Sequence, residues 1–212
     1  YPPDDPEHVR RVSHQMPVIA ICDKNAAPEI DLIELNNFQA GCIAAEHLLS
    51  LGHRNIAVLS SDPSRSLARS NRIRGVTDQM ERSGLEDCLS VVVPNAREIE
   101  TIPGNNANYR IGRAIGQRQE LLSGKYSAFI AINDMVAYGV LDALVREGYR
   151  VIVVGEPGHP EVEGILGHAG DDAQVVSCAA DADALSLKGK VGLVVQTTQT
   201  AQHSAEVVAA IT

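Results

Sequence analysis

The chain has no tryptophan, and its seven aromatic residues are five tyrosines and two phenylalanines. A surface that stacks nucleobases needs more rings than that. Basic residues are also scarce: 18 Lys and Arg stand against 27 Asp and Glu, a formal net charge of −9. Neutralising duplex phosphates takes a basic face, and an anionic membrane attracts cationic segments, so neither DNA nor a membrane surface is an expected partner. Apolar runs stay short of the roughly 18 residues of a membrane-crossing helix, and no charged-then-apolar leader pattern opens the sequence. The four cysteines, Cys22, Cys42, Cys88 and Cys178, lie far apart with no C-x-x-C pair among them. Thiols so placed read as small buried hydrophobes in a reducing compartment, which points to the cytoplasm and to no metal or other cofactor.

What is present is an alternation. Asn55–Ser60, Leu89–Val93, Ser127–Ile132 and Val151–Val154 are short, near-continuous apolar runs. Strands buried on both faces by helices look like this. Between them lie helical periods: Ile73, Val76 and Met80 share one face, Ile111, Ile115 and Leu122 another, and Val136, Val140 and Leu144 a third. Gly52, Gly84, Gly124 and Gly148 each stand a few residues before a strand, where a left-handed residue closes the preceding helix. Repeated β-α units predict right-handed crossovers and a doubly wound, mainly parallel α/β sheet between two helix layers. Upstream, Asp5–Gln15 reads as a short helix, Pro17–Cys22 as a buried strand and Gln39–Leu51 as a helix. Downstream, Gln174–Cys178 and Val191–Gln196 read as strands and Ser204–Ile211 as a final helix, with no sequence repeat of the earlier units.

Four motifs recur at family spacing. They are Asn37-x3-Gly41, the run His47–Ala57 containing Leu51-Gly52-His53-Arg54, Arg72-x2-Gly75-Val76, and Asn133-Asp134-x2-Ala137-x-Gly139. Together they cover residues 17–150 and resemble the effector-binding core of the LacI family of repressors. The resemblance implies the end of a first lobe and most of a second lobe of a periplasmic-binding-protein-like, flavodoxin-like or Rossmann-like sandwich. It implies a small effector, often a sugar or nucleobase, contacted by Arg72 and Asn133, with Asp134 a third ligand candidate. Strand carboxyl ends are where such folds bind ligands, and an Arg fork with an amide suits hydroxyls and carbonyls. Two other readings stand beside these: Arg72 as a solvated member of the Arg65, Arg69, Arg74 series, and Asp134 as the N-cap of the following helix. The family's Asp is replaced here by Asn36, and its Gly-Phe-Asp by Gly155-Glu156-Pro157. Its DNA-reading headpiece and most of its first lobe have no counterpart in these residues.

A second resemblance begins where the first fades. Val154-Gly155-Glu156-Pro157-Gly158-His159-Pro160-Glu161-Val162-Glu163-Gly164, followed by Val195-Gln196-Thr197-Thr198-Gln199-Thr200, is similar to the LytB-type 4-hydroxy-3-methylbut-2-enyl diphosphate reductases. It implies that His159 contacts a diphosphate, Glu161 relays protons and Thr197 holds a substrate hydroxyl. The structural alternatives are helix starts: Pro160 in a first turn, Glu161 and Glu163 at its positive end, and Thr198 or Thr200 as a cap. That family's iron–sulfur cluster takes three Cys ligands, and none of the four Cys here falls in a matching context, so no catalytic activity is expected.

The expected organisation is therefore residues 1–36 as a first-lobe remnant, 37–150 as the effector lobe and 151–212 as a reductase-like piece sharing the same sheet through Val151–Val154. The absence of a linker near residue 150 reads as a chimera, engineered or recombined, with vestigial binding residues. Apolar surface left by the missing lobe gives it a route to a homodimer.

Overall fold

A computed structural model of the chain describes residues 6–21, 30–186, 189–196 and 199–211. In chain order its elements are α1 (Pro6–Ser13), β1 (Ile19–Ile21), β2 (Asp31–Ile33), α2 (Asn37–Ser50), β3 (Ile56–Leu59), α3 (Leu67–Arg82) and β4 (Leu89–Val92). Then come α4 (Ala96–Glu100), α5 (Ala107–Gly116), α6 (Gln119–Leu122), β5 (Ala128–Ala131), α7 (Asp134–Arg146) and β6 (Arg150–Val154). The chain ends with α8 (Pro160–Ala169), β7 (Gln174–Val176), α9 (Ala179–Asp183), β8 (Val191–Val195) and α10 (Ala201–Ile211).

Among the described residues every strand pairing is parallel, and the strands fall into three groups: β1-β2, β4-β3-β5 and β7-β6-β8. The two larger sheets repeat one topology, in which the first strand is central, the second lies on one side and the third on the other. The shared sheet expected at residue 151 is corrected by this pairing. Arg150–Val154 is hydrogen-bonded to β7 and β8, not to β5. A short apolar run encodes burial on two faces but not which strand lies beside it. Of the strand expected at Pro17–Cys22, Ile19–Ile21 pairs in register with Asp31–Ile33, but the expected burial is corrected by the exposure of Ile19 and its neighbour strand's Ile33; Cys22 lies outside the described residues.

Helices cover both faces of the two larger sheets, as a doubly wound fold requires. On one face of β4-β3-β5, Val76 and Met80 of α3 and Ala45 of α2 pack on Ile56 and Val58. On the other, Ile111 and Ile115 of α5 and Val136 and Val140 of α7 pack on Ala57, Leu59 and Val92. Sheet β7-β6-β8 has α8 on one face, with Val162 and Ile165 against Val151 and Val153, and Ala182 and Val207 of α9 and α10 on the other, against Ile152 and Val154. Leu141 of α7 belongs to this second core while Val136 and Val140 belong to the first, so one helix serves both sheets.

Local signals explain most boundaries. Gly52, Gly84, Gly124 and Gly148 all take positive φ just after their helices. In α5 the expected Ile111–Ile115 face is buried, but the third core residue is Leu121, not Leu122. Helix α5 ends at Gly116 and a new turn starts at Gln119, which resets the period. Asn95 and Glu98 form a reciprocal capping box at the start of α4. Among the described residues no helix is long and apolar enough to cross a membrane.

Candidate functional site

In β4-β3-β5 the chain leaves β3 for α3 on one face and leaves β5 for α7 on the opposite face. Adjacent strands whose connections part in this way open a crevice at their carboxyl ends, the topological switch point where α/β sheets take ligands. The rim on the β3 side is Ser60-Ser61-Asp62; on the β5 side it is Ile132-Asn133-Asp134.

Arg72 spans this crevice. It lies in the second turn of α3, half-buried, and one Nη donates to the carbonyl oxygen of Ile132. Its other Nη donates to Asn37 Oδ1 at 2.7 Å, while Asn37 Nδ2 donates to Leu35 O at 3.1 Å. The side chain is therefore fixed by protein partners, which corrects the reading of Arg72 as a merely solvated residue. Asn37, the opening residue of the first motif, holds it in place, and nothing in the sequence alone pairs residues 35 positions apart.

Asn133, not Asp134, caps α7. Its Oδ1 accepts from the Val136 N–H at 2.9 Å, with extended backbone at φ −157° and ψ 170°. Asp134 is the first helical residue and its Oδ1 accepts from Met135 N at 2.8 Å. Two good capping residues in succession are ambiguous by one position from sequence, and the extended geometry at 133 decides it. Asn36 likewise caps α2, accepting from Gln39 N at 3.0 Å, so amide replaces carboxylate there without loss of the cap.

The motif glycines have a different task. A Cβ on Gly41 would lie 2.9 Å from Val76 N, and one on Gly75 would lie 2.9 Å from the Phe38 carbonyl carbon. A Cβ on Gly139 would lie 2.7 Å from Arg113 N and 2.9 Å from Gly112 Cα. Helices α2 and α3, and α5 and α7, thus meet backbone to backbone. The motifs combine glycines that bring helices together with Arg72 and Asn133 near the carboxyl end of β5.

The second sheet repeats the arrangement. Its central strand β6 leads into the Gly155–His159 loop and α8, and β8 leads towards α10 on the other face. His159 caps α8, its Nδ1 accepting from Glu161 N at 3.2 Å, so the proton of a neutral imidazole sits on Nε2. Glu161 stands in the first turn behind Pro160. Thr197 lies outside the described residues. Thr200 caps α10, accepting from His203 N at 3.3 Å, and His203 Nε2 lies 2.7 Å from the Ser177 carbonyl oxygen.

Gln196 closes this second crevice. It is 1% exposed, and its Oε1 accepts from Glu156 N at 2.8 Å. A Cβ on Gly155 would meet that same oxygen at 2.7 Å, so glycine is the residue that lets loop and amide come this close. Three hydrogen bonds from Ser177 and Cys178 converge on Asp181 Oδ2 and hold its carboxyl below the usual range, the Ser177 hydroxyl contributing most.

Comparison with known proteins follows this division. The family of periplasmic binding proteins and the sugar-binding domain of the LacI family matches residues 3–164. The chain belongs to that family. The LytB protein family matches residues 137–212, so the two matches overlap on most of α7, on β6 and on the start of α8. Among family members, a LacI transcriptional regulator from a Rhodococcus species superposes with a TM-score of 0.54 at 21% identity, covering 91% of this chain and 70% of that one. A LacI-family regulator from Enterococcus faecium, solved with bound ribose, gives a TM-score of 0.50 at 20% identity over 97% of this chain and 65% of that one. The transcriptional regulator DegA of Bacillus subtilis is 27% identical over 139 residues, 66% of this chain and 38% of its own length. The 4-hydroxy-3-methylbut-2-enyl diphosphate reductase of Citrifermentans bemidjiense is 36% identical over 132 residues, 59% of this chain. The chain spans less than half the length of either curated relative, 45% of the reductase and 38% of DegA.

Proposed function

We propose that the chain is the effector-binding part of a LacI-type regulator, taking a small hydroxyl- or carbonyl-bearing ligand at the carboxyl ends of β3 and β5. The supporting observation is Arg72, which reaches from α3 to the end of β5 and is held there by Asn37. A guanidinium preorganised beside Asn133 loses little freedom on binding, which is how a site gains affinity. In this reading residues 1–36 bring in part of a first lobe, 37–150 carry the site and 151–212 form a second sheet without chemistry of its own. Isothermal titration of the chain with D-ribose, D-xylose and adenine tests it. Saturable binding of one of them, weakened at least tenfold by Arg72→Ala, is the expected result. Uptake of none of the three, or binding indifferent to Arg72→Ala, refutes it.

A second reading concerns residues 137–212. Their reductase likeness implies an iron–sulfur cluster, which needs converging thiolates. Cys42 lies in α2 and Cys88 just ahead of β4, both in the layer against β3, whereas Cys178 begins α9 beyond β7. Among the described residues no three His, Cys, Asp or Glu are grouped to hold a metal ion. The described thiols do not converge as the cluster requires, Cys22 lying outside the described residues, and on this ground we favour a recombined α/β protein over a reductase. Anaerobic reconstitution with iron and sulfide that yields a stable cluster absorbance would overturn this.

A further inference from the structure

Among the described residues, the Ser60 and Asp62 side chains at the end of β3 have hydrogen-bond partners and the Ser61 hydroxyl does not. Ser60 Oγ donates to the Ser61 carbonyl oxygen at 2.7 Å, and Asp62 Oδ1 accepts from both the N–H and the hydroxyl of Ser64. Ser61 is only 8% exposed, its Oγ is shielded from solvent, and it has no hydrogen-bond partner among the described residues. A buried hydroxyl left unpaired costs more than a paired one contributes, and such groups are rare enough to need an explanation.

Position supplies one. The β3 ladder continues past the strand through Ser60, whose N–H donates to Val92 O. Alternation then carries Ser61 to the face of Ala57 and Leu59, the face that α7 covers. The hydroxyl therefore lies just past the carboxyl end of β3, the strand whose Leu59 carbonyl oxygen accepts from the N–H of Ile132, the residue before Asn133. We propose that Ser61 Oγ is a ligand-contacting group of this crevice, donating to an oxygen of the bound effector and selecting for ligands that carry an acceptor at that point. Because the hydroxyl is shielded from water, a ligand lacking that acceptor leaves the donor unpaired.

This inference rests on the effector reading of the crevice, and its test separates the two. The full chain and its Ser61→Ala and Arg72→Ala variants are compared by thermal melting without ligand and by titration with D-ribose, D-xylose and adenine. Deleting an unpaired group leaves the unliganded melting temperature equal or higher, while affinity for the bound probe falls about tenfold, one hydrogen bond's worth. Opposite signs in the two readouts are the signature of a donor kept for a ligand. A lower melting temperature for Ser61→Ala overturns the inference, because the hydroxyl then serves the fold, through a buried water or a protein group. Unchanged affinity for a probe that Arg72→Ala loses overturns it too, with the effector reading intact. Binding of none of the probes by the parent chain removes both.

Discussion

Replacing Gly139 by alanine sets two effects of opposite sign against each other. In an exposed helix interior the change favours folding by about 1 kcal/mol, because alanine has the higher helix propensity. At Gly139 the new Cβ stands 2.7 Å from Arg113 N and 2.9 Å from Gly112 Cα, and nearer still to the Tyr109 carbonyl oxygen. All three are backbone atoms of α5, so no side chain can rotate away, and α5 and α7 must part to reach the 3.4 Å of ordinary contact. Overpacking of this kind costs about 1–3 kcal/mol, and rigid backbone on the far side puts the cost at the upper end. A net loss of about 2 kcal/mol corresponds to a fall of about 4–8 °C in melting temperature for a chain this long. Gly167→Ala is the internal control: it too lies within a helix, but no atom comes within 4 Å of its Cβ, so the propensity gain stands alone and the melt shifts upward. Circular-dichroism melts of both variants measure the contrast. A Gly139→Ala protein that melts at or above the parent would refute the backbone contact as the reason for glycine in this motif.

Two further outcomes follow from the packing and the charges. Leu141→Ala empties a site that α7 fills in the core of β6, and should cost about 3 kcal/mol in denaturant unfolding, with amide protection lost in Val151–Val154 before Ile56–Leu59; loss of less than 1 kcal/mol, or equal loss in both strands, would contradict the two-sided role of α7. Glu98 accepts from Arg118 Nε at 3.0 Å and Nη2 at 2.8 Å, and this pairing, more than the Asn95 N–H, holds its carboxyl below the ordinary glutamate range. A depressed folded value means its contribution is complete above the ordinary range and is lost as pH falls through the lower folded value. Screened by water, that contribution is at most about 1 kcal/mol, so Glu98→Gln should lower stability slightly at pH 7 and converge with the parent in acid; a gap that widens on acidification would show the sign to be wrong.

The elements were legible where burial leaves a mark on composition. Strand β3 is buried throughout, 0 or 1% exposed from Ile56 to Leu59, and its sequence is correspondingly unbroken by polar residues. Helix α9 was not legible, because Ala179–Asp183 has no apolar period and rests on hydrogen bonds that Asp181 accepts from Ser177 and Cys178. The pairing of β6 was invisible for another reason: four valines and isoleucines in a row fit any central parallel strand. At the crevice, Arg72 and Asn133 stand out because motif spacing carries them, although the cap assignment slipped by one residue. Asn37 as the partner of Arg72, Gln196 as the closure of the second crevice and Ser61 as an unpaired donor are facts of tertiary contact. No local pattern encodes them.

Most of α7 lies within residues 137–164, which both family models match. A helix with two apolar stripes can serve two sheets at once. Val136, Val140 and Leu144 face the first sheet at four-residue spacing, while Tyr138, Leu141 and Val145 face the second at three- and four-residue spacing. Contacts with α8 then fix how the second sheet sits. Tyr138 stacks on His168 with ring centroids 4.7 Å apart, Tyr109 of α5 approaches the same imidazole at 5.6 Å, and the missing Cβ of Gly164 would lie only 3.2 Å from the Tyr138 hydroxyl. One histidine held by rings from two helices of the first core ties α8 to both. The second sheet begins at Arg150 with its own central strand, and its order β7-β6-β8 repeats that of β4-β3-β5 without a repeat in sequence.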